Sequence, residues 1–404
     1  MLRLPGPLRK IKSAFVVLTN HMPGTSFARE TEWSLICAAS SGLNTRDDFL
    51  SLLQKPIRWK LLFDLAERHG VLPLLSQALF SVADQIPAGE TLNLKERYQA
   101  NLHKALFLSR EFIRIVDRLS GEGIEVLPYK GLALAETIYG DIALRQSGDI
   151  DLLVRSSDFR RIEKVVGELG FTPHLKLRKA EQQAYLKSGY ECAFDGAAGR
   201  NLLEVQWSVQ PRFYAVDFDM DGVFQRAVSI SVAGRSMKAP SMEDLYIILA
   251  LHAAKHVWQR LIWICDLGRI GACQTLNWNW IGEQARQLGI VRIIRVTLLL
   301  VQRMLGVPVS PAQAGLGDDE QSEKLAAEIE YQTASEMEYD VESLAYFRLM
   351  LRLRERRTDQ IRFMSRLLLT PGPGEWAVIR LPKGLFPFYR VVRLTRVAAR
   401  VVHS

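Results

Sequence analysis

The chain reads as an α+β protein, with a small mixed β-sheet module embedded between N-terminal and C-terminal helical regions. Three observations lead there. Apolar residues recur at helical spacing through residues 26–121, and the period changes to short strand-like runs after Gly123. Helical spacing returns at Ser241. A length of 404 residues, with 48% hydrophobic and 24% charged, is that of an ordinary globular chain and excludes disordered or collagen-like classes.

Residues 1–25 are a basic lead-in whose apolar stretch is too short for a secretory signal. The N-terminal helical region, 26–121, starts with Trp33, Leu35 and Ile36 at helical spacing. Helices are then predicted over 59–69, closed by Gly70, and over 71–79, with Pro73 in its first turn. A long helix over 94–119 places Leu102, Leu106, Phe112, Val116 and Leu119 roughly on one face.

The α+β module covers 122–235. Residues 124–129 read as a strand, 132–139 as a short helix closed by Gly140, and 149–154 as a second strand. A helix follows over 159–169, stopping at Gly170. Two more strands, 190–195 and 201–209, are joined by a glycine-bearing turn from Gly196 to Gly199.

Ser241-Met-Glu-Asp244 is a capping-box-like start for the helical region 236–310. The C-terminal region, 311–404, opens on a Pro/Gly/Ala loop, and Pro371-Gly-Pro-Gly374 breaks its helical material before a basic tail.

The net charge of +8 favours anionic partners, and much of the excess lies in 352–366 and 380–400. Apolar residues between the arginines suit a weak contact with an anionic membrane surface, or a plain helix with solvated arginines. No nucleic-acid motif accompanies them, so nucleic acid is not an expected partner. Four scattered cysteines without framework spacing suit reduced thiols, and no apolar run is long enough to cross a bilayer. The expected location is cytoplasmic.

Chemistry concentrates at Asp149-Ile-Asp151. In a strand, alternate side chains share a face, so both carboxylates point one way while Ile150, Leu152 and Val154 point the other. Glu204, between Leu203 and Val205 on a later strand, adds a third acid if the two strands are neighbours. Clustered acids repel and raise one another's pKa, a penalty that a divalent cation removes. Mg²⁺ commonly uses one or two carboxylates plus phosphate oxygens. The plain alternative is a strand end with solvated acids. Upstream, Lys130-Gly131 ends a strand where a helix begins, a favourable place for phosphate, and Arg145 is a further phosphate-binding candidate. His252, Lys255 and His256 share one helix face. That face suits phosphate or base contacts, a zinc pair completed by Asp266, or a buried polar contact between helices.

Glycine after a strand, Asp-x-Asp on the next strand and an isolated acid on a later one resemble the nucleotidyltransferase superfamily with the polymerase-β-like fold. The chain more closely resembles the bacterial family of uncharacterised nucleotidyltransferases. The matching residues run from Leu127-Pro-Tyr-Lys130-Gly131 through Tyr139-Gly140, Arg145, Asp149-Ile-Asp151 and Glu204-Val-Gln-Trp207. They continue through His252-x-x-Lys255-His256, Arg260-Leu-x-Trp263-x-x-Asp266 and Trp280. The resemblance covers roughly residues 45–310. It departs at Gly131-Leu132, where the superfamily usually has Gly-Ser or Gly-Gly, and at Gln206, where relatives often carry histidine.

The resemblance implies a magnesium-dependent transferase that moves an NMP group from an NTP, ATP being the expected donor, to an unidentified hydroxyl acceptor. That acceptor is a sugar, a metabolite or a protein side chain, with a link to envelope polysaccharide production. Asp149, Asp151 and Glu204 would be catalytic and hold Mg²⁺. Lys130, Gly131, Arg145, His252, Lys255 and His256 would bind nucleotide. The alternative is a catalytically degenerate fold acting as a nucleotide sensor or assembly factor.

Overall fold

The computed structural model describes residues 30–41, 46–196, 201–317, 319–335, 337 and 343–403. The lead-in and most of the turn predicted at 196–199 lie outside them.

Strand β1 (Val126–Pro128) is followed by β2 (Ile150–Val154), β3 (Thr172–Pro173), β4 (Glu191–Asp195) and β5 (Asn201–Gln206). They form one sheet in the order β1-β2-β5-β4-β3. Only the central β2–β5 pair is parallel; the other neighbours are antiparallel. The sheet is therefore mixed, and the molecule has the α+β class that the change of period predicts.

Ile150, Leu152, Leu203 and Val205 are buried on one sheet face against the helices Ala88–Gly121 and Phe159–Glu168, through Leu108, Phe112, Phe159 and Ile162. Leu153 and Tyr129 belong instead to a larger core built with the helices Met242–Lys255, Leu261–Gly271 and Val291–Leu305. Alternation thus sends successive β2 residues into two different cores. The acids sit on the face that meets the larger one.

Sequence signals set the helix ends. The helix Gly131–Tyr139 stops at Gly140, whose φ of 74° gives the left-handed turn that glycine adopts without steric cost. Ser241 caps Met242–Lys255 by accepting from the Asp244 N–H. The predicted 94–119 helix is longer, Ala88–Gly121.

Several elements, β3 and the helix Met220–Gln225 among them, were absent from the sequence-based expectation. The helix Lys179–Ser188 precedes β4, and a hairpin of β6 (Val228–Val232) and β7 (Arg235–Ala239) packs against the helix Gly131–Tyr139 and β1. Its turn uses Ala233 and Gly234, both at positive φ. The Glu136 carboxylate accepts from the Ala233 N–H at 2.8 Å and ties the turn to the helix.

The chain also bends sharply after Met242–Lys255. Val257 and Trp258 both adopt left-handed φ, 52° and 48°, costing about 1–3 kcal/mol each. Trp258 is fully buried, and its indole N–H donates to Thr297 Oγ1 at 3.2 Å, which holds the bend. The bend returns Leu261–Gly271 alongside the preceding helix.

Candidate functional site

The parallel register sets Asp151 beside Glu204 and Ile150 beside Leu203. Asp151 and Glu204 therefore share a face, while their apolar neighbours fill the core behind it. One carboxylate oxygen from each of Asp149, Asp151 and Glu204 can be chosen so that all three lie within 4.8 Å of one another. Asp151 is buried and accepts from Lys130 Nζ at 3.1 Å.

One bonded ammonium does not offset three crowded acids. The charge of Asp151, then burial, pushes the Asp149 carboxyl up to about 6. Burial, followed by the charges of Asp151 and Glu191, pushes Glu204 up to about 8. A divalent cation fits this set. All the donors are hard oxygens, and their spread matches a coordination sphere with metal–oxygen bonds of about 2.0–2.5 Å.

Beside the acids, β1 runs straight into the helix Gly131–Tyr139. Gly131 has φ +52°, and an added Cβ would stand 3.2 Å from Ser147 Oγ and 3.3 Å from the Asp149 carbonyl oxygen. Only glycine suits this close approach without strain. The turn borders a small cleft, with an accessible volume of about 20 Å³, lined by Lys130, Leu132, Arg145, Ser147, Asp149 and Asp151. Leu132 thus places an apolar side chain where the superfamily usually has serine or glycine. The hydroxyl nearest the turn comes instead from Ser147.

Arg145 lines the cleft, but its guanidinium is committed elsewhere. Nε and Nη2 donate to the two oxygens of Asp266 at 2.9 and 2.8 Å, and Nη1 donates to Ser147 Oγ at 3.1 Å. Tyr139 Oη also donates to Asp266. Both charged groups are buried, so this is a two-pronged clamp joining the loop before β2 to the helix Leu261–Gly271. Asp266 therefore orients Arg145.

His252 and His256 lie edge-on or tilted against Trp263, with ring centroids 5.1 and 5.4 Å away, and 4.8 Å from each other. Burial, then the charges of Lys130 and Lys255, holds His252 well below the usual histidine range. Burial and Lys255 bring His256 down to about 3. Burial thus favours the neutral form of both imidazoles. They do not assemble a zinc site with Asp266. Among the described residues, the only group of three or more clustered metal-type ligands is the acid trio.

Lys255 faces the acids from the helical side. Its ammonium donates to Tyr190 Oη at 2.9 Å and lies 4.1 Å from that ring's centroid. Burial brings it down to about 8, although Glu191 opposes the shift. Tyr190 Oη in turn donates to Glu191. Gln206 Nε2 donates to Glu191 at 3.0 Å and to Glu204 at 3.1 Å, while its Oε1 accepts from Tyr129 at 2.5 Å. A continuous polar chain thus links Lys255 to Glu204.

Sequence reasoning named neither Tyr190 nor Glu191. Alternation in β4 held the signal: Ala193 pairs with Glu204 and Glu191 with Gln206, so Glu191 points to the acid face. Lys104 was also missed. Its ammonium comes within 3.9 Å of the position a Gly148 Cβ would take, and its charge acts on Asp149.

The mixed sheet thus clusters three acids beside a glycine turn and forms a candidate metal site. A family model described as "Uncharacterised nucleotidyltransferase" matches residues 55–306, and the chain belongs to that family. No curated protein and no solved structure matches it.

Proposed function

We propose that the protein transfers a nucleoside monophosphate from an NTP, ATP being the first donor to test, to a hydroxyl acceptor, with Mg²⁺ as cofactor. The observation that carries this reading is the trio Asp149, Asp151 and Glu204. Three acids on one sheet face are electrostatically unfavourable alone and suited to a cation that also meets phosphate oxygens. Asp149 and Asp151 would hold Mg²⁺, with Glu204 as the third ligand. When bound, the ion supplies Lewis-acid polarisation of the triphosphate.

The protein's own groups have definable tasks. Lys130 neutralises Asp151 and places a cation at the mouth of the glycine turn. The turn at Gly131 leaves free helix N–H groups for phosphate oxygens. Arg145 serves by holding Ser147 at that turn. His252 and His256, packed on Trp263, would offer aromatic surface to a nucleobase.

In the transfer, the acceptor oxygen forms a bond to the α-phosphorus as the bond from that phosphorus to pyrophosphate breaks. The acceptor's proton leaves with a base, for which a Glu204 carboxylate oxygen turned away from the ion would serve. The test is incubation with each labelled NTP, Mg²⁺ and fractionated cell extract. Label transferred to a hydroxyl-bearing acceptor, with release of pyrophosphate, is the expected result. NTP binding with no transfer to any fraction would favour a nucleotide sensor, the reading that Leu132 at the phosphate turn supports.

A further inference from the structure

Residues 356–404 hold ten arginines and lysines against two acids; ten minus two gives +8, equal to the net charge of the whole chain. Both acids are buried. Glu375 pairs with Arg393 and Arg396 on the inner side of the helix Tyr389–His403, and Asp359 lies near Arg362. The segment holds no further acid for its remaining cations.

The same segment is unusually apolar on its outside. Nine of the sixteen large apolar side chains exposed among the described residues fall between 361 and 394. Ile361 and Leu369 share an outer stripe on the helix Arg357–Leu369, being two turns apart. Val391 and Leu394 share one on Tyr389–His403, and Phe388 is exposed just before it. The two helices are fastened side by side by Arg393, whose Nε donates to the Leu367 carbonyl at 2.5 Å.

Between them lies a groove of about 300 Å³ lined by Lys187, Arg212, Arg366, Leu369, Thr370 and Arg390. Arg366 is held by Asp217 at 2.7 and 2.9 Å. Lys187, Arg212 and Arg390 have no ion-pair partner among the described residues. The groove thus presents unpaired cations directly beside exposed aliphatic side chains.

A soluble anion needs the cations but not the aliphatic residues. An ordinary apolar protein interface would leave the cations desolvated and uncompensated. A bilayer of anionic lipid supplies both complements, with phosphates at the headgroups and hydrocarbon just beneath. No helix among the described residues is long and apolar enough to cross a membrane, so the contact would lie along the surface.

We propose that the helices Arg357–Leu369 and Tyr389–His403, with Lys187 and Arg212, form a docking surface for an anionic lipid bilayer. Headgroup phosphates occupy the groove while Leu369, Val391, Leu394 and Phe388 enter the interfacial layer. This does not depend on the transfer reaction proposed above.

The test is sedimentation of the full chain with vesicles of phosphatidylcholine, with or without phosphatidylglycerol. Binding is expected only with phosphatidylglycerol and should weaken with salt. Arg212→Gln with Arg390→Gln should lower partitioning on the order of tenfold or more. Val391→Ser with Leu394→Ser should also lower it, while leaving the salt dependence. Both pairs are exposed, so unchanged circular dichroism and Tm are expected. Three results would overturn the proposal: no preference for anionic vesicles, full binding by either double variant, or release by inorganic phosphate beyond the effect of matched ionic strength.

Discussion

Glu204→Gln tests the electrostatics of the acid cluster without requiring a substrate. The folded protein holds Glu204 near 8, against an ordinary value of 4.5, by burial and the neighbouring charges of Asp151 and Glu191. A carboxyl raised on folding retains a proton that the unfolded chain releases. Its favourable contribution is complete below pH 4.5 and is lost as pH rises through 8. At pH 7 the shift corresponds to roughly 3 kcal/mol, and solvent reaching a partly exposed carboxylate reduces this to about 2 kcal/mol.

An amide at this position removes the proton linkage but can still accept from Gln206. The metal-free variant should therefore gain about 2 kcal/mol over the parent at pH 7 and show little difference at pH 4.5. Urea denaturation across that pH range, in chelator, measures both. Adding Mg²⁺ should stabilise the parent above pH 6, where Asp149 is also ionised, and stabilise the variant much less. A variant less stable than the parent at pH 7, or one equally stabilised by Mg²⁺, would refute the reasoning.

Asp151→Asn should abolish Mg²⁺-dependent NTP binding while the fold persists, which a thermal shift with each NTP, with and without Mg²⁺, would detect. Lys255→Ala should weaken nucleotide binding several-fold by isothermal titration, because it removes the cation facing the acids through Tyr190; unchanged affinity would separate it from the site. Arg145→Ala should cost about 3–5 kcal/mol in urea denaturation, since it strands the buried Asp266 without its partner. Gly131→Ala should cost about 1–2 kcal/mol from its left-handed backbone alone and also displace Ser147, lowering NTP affinity in the same titration.

The parts of the site legible from sequence are those set by local alternation. Asp149, Asp151 and Glu204 lie within or beside short strands whose apolar neighbours reveal the buried face, so a period of two places the acids together once the strands pair. Contacts between distant segments were not legible. Arg145 meets Asp266 across 121 residues, and Lys255 meets Tyr190 across 65. An arginine just before an Asp-x-Asp motif reads locally as a phosphate ligand, and only the fold reveals the aspartate that engages it. The β6–β7 hairpin was hidden for another reason. Its strands are mostly exposed, and Ala233-Gly234 is a weaker turn signal than Asn-Gly.

The helical half of the protein explains why the acid cluster can persist in a fixed geometry. The sheet alone would leave the loop before β2 attached only through its backbone. The left-handed bend at Val257 and Trp258 returns the helix Leu261–Gly271 toward that loop, and Asp266 then grips Arg145 with both oxygens. The same bend sets Trp263 against His252 and His256. Two strained residues, at about 1–3 kcal/mol each, thus position both the clamp on the acid-bearing loop and the packing of Trp263 on the two histidines. Strain at a helix end that carries no acid of the cluster thus serves the loop that does, through the Asp266–Arg145 clamp.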